Sequence, residues 1–232
     1  MFEELRSSVW EANLKLWRSG LAPGTWGNVS GIDRRKGVFA IKPSGVPYNR
    51  LTKDMIVLVD LEGRIVEGKL RPSSDTPTHL VLYRAFDSIG GVTHTHSPVA
   101  TAFSQACKSI PCLGTTHADH FDGPIPVTRF LRGEEASGDY EAATGHLIVE
   151  TFRSLNLDPL RVPAVLVAGH GPFVWGENPH KAVENAVALE AVAVMARDTF
   201  LLSQEAPKAL PEHLLRKHFD RKHGPEAYYG QK

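Results

Sequence analysis

The stretch Gly91-Val92-Thr93-His94-Thr95-His96-Ser97 constrains this chain more than any other. It follows a helix-like segment, is rich in β-branched residues and reads as a strand. Side chains two apart on a strand leave the same face, so His94 and His96 converge on one side. Two imidazoles in contact repel when both are protonated, whereas two neutral rings can share a divalent metal. The stretch alone leaves two readings open: a metal-binding pair, or two sheet histidines satisfied by hydrogen bonds.

The pattern around it is that of one α/β domain with a mostly antiparallel sheet flanked by helices. Residues 2–18 carry apolar side chains at helical spacing (Phe2, Leu5, Val9, Ala12, Leu16). Two hairpin-like units follow: 26–32 with 38–41, and 55–59 with 64–66. Residues 76–86 read as a helix, with Ser74 or Asp75 at its N-cap and Pro77 in the first turn. A short helix is expected over 99–106, strand and loop over 111–131, and a helix over 140–155. Residues 164–168 form a continuous apolar run of the kind buried on both faces, and a strand restarts at 173–175. Asn178-Pro179 caps a long alanine-rich helix to about Leu202, and the tail, 211–232, begins helical. No repeat or long linker interrupts the 232 residues, so a single domain is expected.

Composition excludes several partners. Lys plus Arg and Asp plus Glu both number 26, with no basic stripe, which argues against nucleic acid or an anionic membrane. No apolar run is long enough to span a bilayer. The opening Met1-Phe2-Glu3-Glu4 is acidic without a secretory apolar core, and Cys107 and Cys112 make no disulfide framework. The expected compartment is therefore the cytoplasm.

Other residues add chemistry to the histidine pair. His170 stands in a Gly-His-Gly turn at the end of the buried run 164–168, where a binding group can face a cleft. With His94 and His96 it would complete a three-nitrogen set of the kind that holds catalytic zinc; alone, it is also an ordinary turn histidine. Lys42-Pro43-Ser44-Gly45 and Ser73-Ser74-Asp75-Thr76 offer hydroxyls, backbone N–H groups and one lysine, which suit a phosphate monoester, and Asn28 could add a hydrogen bond. Asp75 reads equally as helix cap or as metal-site carboxylate, and Asp119 as acid/base or as a solvated loop residue. There is no Gly-x-Gly-x-x-Gly and no P-loop. The residues by themselves lead to metal-assisted chemistry on a small phosphorylated molecule.

Several segments carry a closer resemblance: Thr25-Trp26-Gly27-Asn28-Val29-Ser30, Ile41-Lys42-Pro43-Ser44-Gly45-Val46, Pro72-Ser73-Ser74-Asp75-Thr76-Pro77-Thr78-His79 and the His94/His96 strand. Gly114-Thr115-Thr116-His117-Ala118-Asp119, His170-Gly171-Pro172-Phe173, Arg221-Lys222-His223-Gly224 and the closing Tyr228-Tyr229-Gly230-Gln231 extend it over nearly the whole chain. In this order they resemble the class II aldolase/epimerase family, on its pentulose-phosphate 4-epimerase side. The resemblance implies a three-layer α/β/α fold in a homotetramer with active sites at subunit interfaces, the tail (about 211–232) reaching a neighbour's site. It implies Zn²⁺ at His94, His96 and His170 with Asp75 at the metal-site position; the same donors would accept Mn²⁺ or Co²⁺. It places Gly27, Asn28, Lys42, Ser44, Gly45, Ser73 and Ser74 around a substrate phosphate. It makes Asp119 and a neighbour's Tyr229 the acid/base pair, with Thr115, Thr116, Glu141, His218 and Arg221 as supporting contacts.

The activity implied is zinc-dependent epimerisation at C4 of a phosphorylated pentulose, L-ribulose 5-phosphate to D-xylulose 5-phosphate. The nearest alternative is an aldolase that releases glycolaldehyde phosphate or a similar aldehyde. The related aldolases carry Ser-Ser-Glu where this chain has Ser73-Ser74-Asp75, which favours the epimerase reading. A non-catalytic metal-binding scaffold would have no need of Asp119, Tyr229 and the phosphate cluster together.

Overall fold

A computed structural model of the chain describes residues 2–229. Gly230 and Gln231 of the closing motif lie outside the described residues. The helix expected at the start is α1 (Glu3–Arg18), which buries Val9, Ala12, Asn13 and Leu16. Asn13 ties it to the sheet: its amide donates to the carbonyls of Val9 and Val29 and accepts from the Val29 N–H.

Strands β1 (Asn28–Asp33) and β2 (Val38–Ile41) form the first hairpin, and β3 (Val57–Asp60) and β4 (Ile65–Glu67) the second. Helix α2 (Thr76–Ala85) leads into β5 (Gly91–His94), followed by α3 (Pro98–Gln105), α4 (Thr115–Ala118), α5 (Gly133–Ser137) and α6 (Tyr140–Ser154). Then come β6 (Ala164–Val167), β7 (Gly171–Gly176), α7 (Pro179–Leu202) and α8 (Glu212–His223). The seven strands make one sheet, ordered β4-β3-β2-β1-β5-β7-β6, with every named pairing antiparallel.

The strand period of two sorts apolar side chains into two cores. Val38, Ala40, Leu58, Ala164, Leu166 and Val174 pack with Val9 and Leu16 of α1, Val99 of α3, and Leu189 and Val192 of α7. Their alternates, Phe39, Ile41, Val57, Val59, Val165, Val167, Phe173 and Trp175, pack with Leu82 and Tyr83 of α2 and Ile148 and Phe152 of α6. Helices thus cover both faces, the three layers that the family resemblance implies. The pairings Asn28↔His94, His94↔Phe173 and Val167↔Gly171 put the starts of β1 and β7 beside the ends of β5 and β6, at one edge of the sheet.

Several expectations need correction. β5 ends at His94, so His96 lies beyond the strand rather than on it; Ser97 and Pro98 already open α3. Asp75 sits at the N-cap position of α2 but makes no side-chain capping bond. The region 111–131 holds a four-residue helix, α4, with Asp119 at its C-cap, and contributes only isolated bridges (Ile110↔Ile125, Val127↔Leu166) to β structure. A single turn is too short to show a helical period in the sequence. Asn178 does cap α7, its Oδ1 accepting from the Lys181 N–H at 2.9 Å.

Candidate active site

At the sheet edge where β5 ends and β7 begins, three imidazoles meet. The ligand nitrogens of His94, His96 and His170 lie within 4.8 Å of one another. The Nε2 atoms of His94 and His96 are 3.1 Å apart, so the two rings still converge although only one is on the strand. His94 stacks on Phe173 with centroids 4.1 Å apart, and its Nδ1 donates to the Pro172 carbonyl at 2.9 Å. A carbonyl only accepts, so the proton is on Nδ1 and the Nε2 lone pair faces the other two rings. Burial, then the neighbouring imidazoles, pushes His170 down to about 4, and the same two causes lower His96. Both stay neutral near pH 7, which is the form that binds metal. This donor set fits a divalent cation.

The turn that carries His170 depends on its glycines. Gly169 has φ +72°, and a Cβ on Gly171 would come within 2.8 Å of the Thr95 carbonyl oxygen. Gly27, at φ +72°, likewise lies so close to β5 that a Cβ would meet the His94 carbonyl oxygen at 2.7 Å.

The histidines line a cleft of about 630 Å³. Its lining includes Gly27, Asn28, Lys42, Ser44, Gly45, Ser73, Ser74, Asp75 and Glu141, so most of the expected substrate contacts are brought together. The loops after β2 and before α2 are zipped side by side: Ser44 N–H donates to the Arg71 carbonyl and Ser73 N–H to the Lys42 carbonyl. Lys42 is 2 % exposed, with Nζ 3.3 Å from the Pro43 carbonyl and 4.8 Å from the Tyr48 ring centroid. Burial lowers its pKa to about 8. Asn28 donates to Asp75 Oδ2 at 2.6 Å and to Ser73 Oγ at 3.1 Å. Burial opposes the Asp75 charge, yet the imidazoles of His94 and His79 and the Asn28 amide hold its carboxyl below the usual range. The three-histidine group forms without Asp75.

The remaining expected residues assemble elsewhere. Asp119 takes a bidentate grip from Arg221 (2.9 and 2.6 Å) and a contact from His218 Nδ1 at 3.1 Å. Burial works against its charge, but the Arg221 and His218 hydrogen bonds keep it ionised. Tyr229 lies across Arg221 and Lys222, 4.9 and 4.5 Å from its ring centroid. Leu215 of α8 packs with Cys112 and Ala118, which seats the tail on its own chain's α4. Thr115 and Thr116 open α4 and are exposed. Thr116 lines a separate cavity of about 220 Å³ with Met195 and Thr199 of α7. Tyr229 lines another, with Trp175 and Gly176 at the far end of β7. None of these residues lines the histidine cleft of its own chain.

Residues 7–196 match the Class II Aldolase and Adducin N-terminal domain family. The chain belongs to that family. A curated relative, L-ribulose-5-phosphate 4-epimerase UlaF of Salmonella paratyphi B, is 52 % identical over 230 residues, covering 99 % of this chain and all of its own. Among solved structures, an L-fuculose 1-phosphate aldolase superposes with a TM-score of 0.73 at 24 % identity, covering 94 % of this chain and 95 % of that one. The L-fuculose-1-phosphate aldolase of Thermus thermophilus gives 0.69 at 27 %, with 89 % and 100 % covered.

In this class II aldolase-family cleft, sequence reasoning missed two prominent side chains. Trp26 is 61 % exposed and faces His96 edge-on at 6.4 Å. The Tyr140 hydroxyl stands 3.4 Å from His170 Nδ1. Tyr140 could have been flagged by the cap that precedes it, since Asp139 accepts from Ala142 N–H and puts Tyr140 at the first turn of α6. Among the described residues no helix is long and apolar enough to cross a membrane, and both cysteines are free.

Proposed function

We propose that the chain interconverts L-ribulose 5-phosphate and D-xylulose 5-phosphate by metal-assisted cleavage and re-formation of the C3–C4 bond. One observation carries the reading: the three-histidine group and the Lys42 loops line a single cleft of a size that suits a small phosphorylated molecule. The name of the 52 % identical relative supports it.

His94, His96 and His170 would hold the cation, zinc in the first instance, with Asp75 beside them. When bound, such a cation supplies Lewis-acid stabilisation of negative charge on substrate oxygens. Simple proton removal at C4 is unfavourable, because the carbonyl at C2 does not acidify that position. Taking the proton from the C4 hydroxyl instead turns C4 into an aldehyde carbon, and the C3–C4 electron pair passes into the C2–C3 unit as an enediolate. Lys42, Ser44 and Ser73 keep glycolaldehyde phosphate tethered by its phosphate. Rotation about its C4–C5 bond presents the other carbonyl face, re-addition inverts C4, and the new C4 oxygen is reprotonated.

The C4 oxygen lies on opposite sides before and after rotation, so two proton-transfer groups are required. We assign them to Asp119 and Tyr229. Because both sit on the α4–α8 surface and neither lines the cleft, we place this surface of one subunit against the cleft of the next in a cyclic homotetramer. The Arg221 grip keeps Asp119 ionised and hence an acceptor for the C4 hydroxyl proton. A cytoplasmic location suits such a sugar-phosphate enzyme.

The test is turnover of L-ribulose 5-phosphate by zinc-loaded protein, with D-xylulose 5-phosphate and glycolaldehyde phosphate assayed together. Xylulose phosphate without free fragment is expected. Accumulating glycolaldehyde phosphate and dihydroxyacetone would instead mean an aldolase.

A further inference from the structure

Helix α2 carries a histidine that the reaction above leaves unused. His79 is fully buried, and its backbone N–H donates to the Asp75 carbonyl one helical turn earlier at 3.0 Å. The two side chains therefore leave the same face of α2. His79 Nδ1 lies 2.6 Å from Ser30 Oγ, which lies 2.7 Å from the Tyr83 hydroxyl. All three groups are buried, and His79 Nε2 has no hydrogen-bond partner among the described residues.

Counting protons fixes the direction of this relay. If Tyr83 donates to Ser30 and Ser30 donates to Nδ1, each hydroxyl proton has an acceptor and Nε2 carries the single N–H of a neutral ring. The reverse polarity strands the Tyr83 proton as well as the Nε2 lone pair, so it leaves two unmet groups instead of one. Burial pushes His79 down to about 3, so the doubly protonated ring does not arise at neutral pH. What remains is a rigidly anchored N–H donor with no acceptor among the described residues, a state that folded interiors seldom leave unmet. Asn28 and Ser30, two apart on β1 and so on one face of it, bond Asp75 and His79 respectively, which sets both groups against the same face of that strand. One Asp75 oxygen, Oδ2, is already held by Asn28.

We propose that His79 is a positioning residue for Asp75: its Nε2–H, directly or through one buried water, holds the carboxylate turned toward the three imidazoles, with Ser30 and Tyr83 as the anchor. The inference rests on the reading of the cleft as a metal seat that includes Asp75. It makes Tyr83, deep in the core between α2 and the sheet, part of the machinery that shapes the metal environment.

Zinc affinity, measured by competition with a chromophoric chelator on the full chain and without substrate, tests it. Asp75→Asn and His79→Leu should each weaken zinc by about 10–100-fold, the usual range for an outer-shell partner. His79→Gln, which keeps an N–H near the position of Nε2, should recover most of the loss. The His79→Leu/Asp75→Asn double variant should bind zinc no more weakly than Asp75→Asn alone, because both changes remove the same carboxylate contact. Should His79→Leu fold poorly, Tyr83→Phe removes the proton at the head of the relay and should weaken zinc several-fold only when Asp75 is present. Unchanged zinc affinity in the His79 and Tyr83 variants, or losses that multiply in the double variant, would overturn the inference and leave the proposed reaction standing. Intact coupling in a protein that does not turn over L-ribulose 5-phosphate would do the opposite.

Discussion

Lys42 offers a direct test of how the cleft is built. Its ammonium is buried against a carbonyl and the face of Tyr48, and neither is a full countercharge. The fall in its pKa from 10.5 to about 8 corresponds, at about 1.4 kcal/mol per pH unit, to about 3 kcal/mol of penalty for keeping it charged. The sign follows from linkage. Below pH 8 the lysine is protonated in both folded and unfolded chains, so the penalty is fully present. Between pH 8 and 10.5 only the unfolded chain holds the proton, and stability rises with pH until the penalty is gone. Lys42→Met, similar in length and without charge, should therefore stabilise the phosphate-free protein at pH 7 by about 1–3 kcal/mol. Its advantage should shrink through pH 9 and vanish above pH 10.5. Inorganic phosphate should stabilise the parent and leave the variant unmoved, because the charge is what the anion uses. Urea unfolding at fixed protein concentration, at pH 7, 9 and 10.5 with and without phosphate, reads all of this. A variant less stable than the parent at pH 7, or an advantage that persists unchanged at pH 10.5, would refute the reasoning.

Three further outcomes are expected. Burial holds His79 at about 3 and His117, His120 and His170 at about 4, so the unfolded chain takes up protons that the folded chain refuses between pH 4 and 6.5. Metal-free protein should lose stability on acidification through that window, with an uptake of about three to four protons near pH 5; less than one proton in the pH dependence of unfolding would contradict it. Gly27→Ala should cost about 2 kcal/mol or more, and should weaken zinc, because its Cβ cannot clear the His94 carbonyl at positive φ; calorimetry and chelator competition would show whether it does. Finally, His94→Ala and Tyr229→Phe should each be nearly inactive, yet regain part of the turnover when unfolded and refolded together. No recovery in verified mixed assemblies would mean that the two residues do not serve one site from different chains.

The helices and strands with long periodic patterns were legible in the sequence, and so was the histidine trio. Two-residue spacing pointed to His94 and His96, which do converge although His96 lies beyond β5, and the glycines around His170 announced a turn with close backbone approach. What the sequence did not carry is distance across the fold. Asp119 read as a loop residue and Asn28 as part of a strand unit, and neither pattern told that one stands against α8 and the other beside β5. Helix α4 was hidden because four residues give no period, and α5 for the same reason. Asp75 was ambiguous between cap and site because both uses want a short carboxylate before a helix; only the Asn28 contact separates them. Lys42 read as a lysine suited to a phosphate, but its burial was not legible, because it follows from neighbours far along the chain.

The placement of His170 also sets a schedule. His94 meets the Pro172 carbonyl across 78 residues of chain, and that bond is what aims its free nitrogen. A chain emerging from the ribosome displays His94 and His96 long before β7 exists, so the pair spends the early part of its life as two loosely oriented rings. Distant partners close slowly, because the entropy of the intervening loop is lost before any contact rewards it. Metal met at that stage would be held weakly and exchanged freely. At the proposed metal seat, tight capture would wait until β7 has docked on β5, so metal retention would serve as a clock for the closing of the sheet.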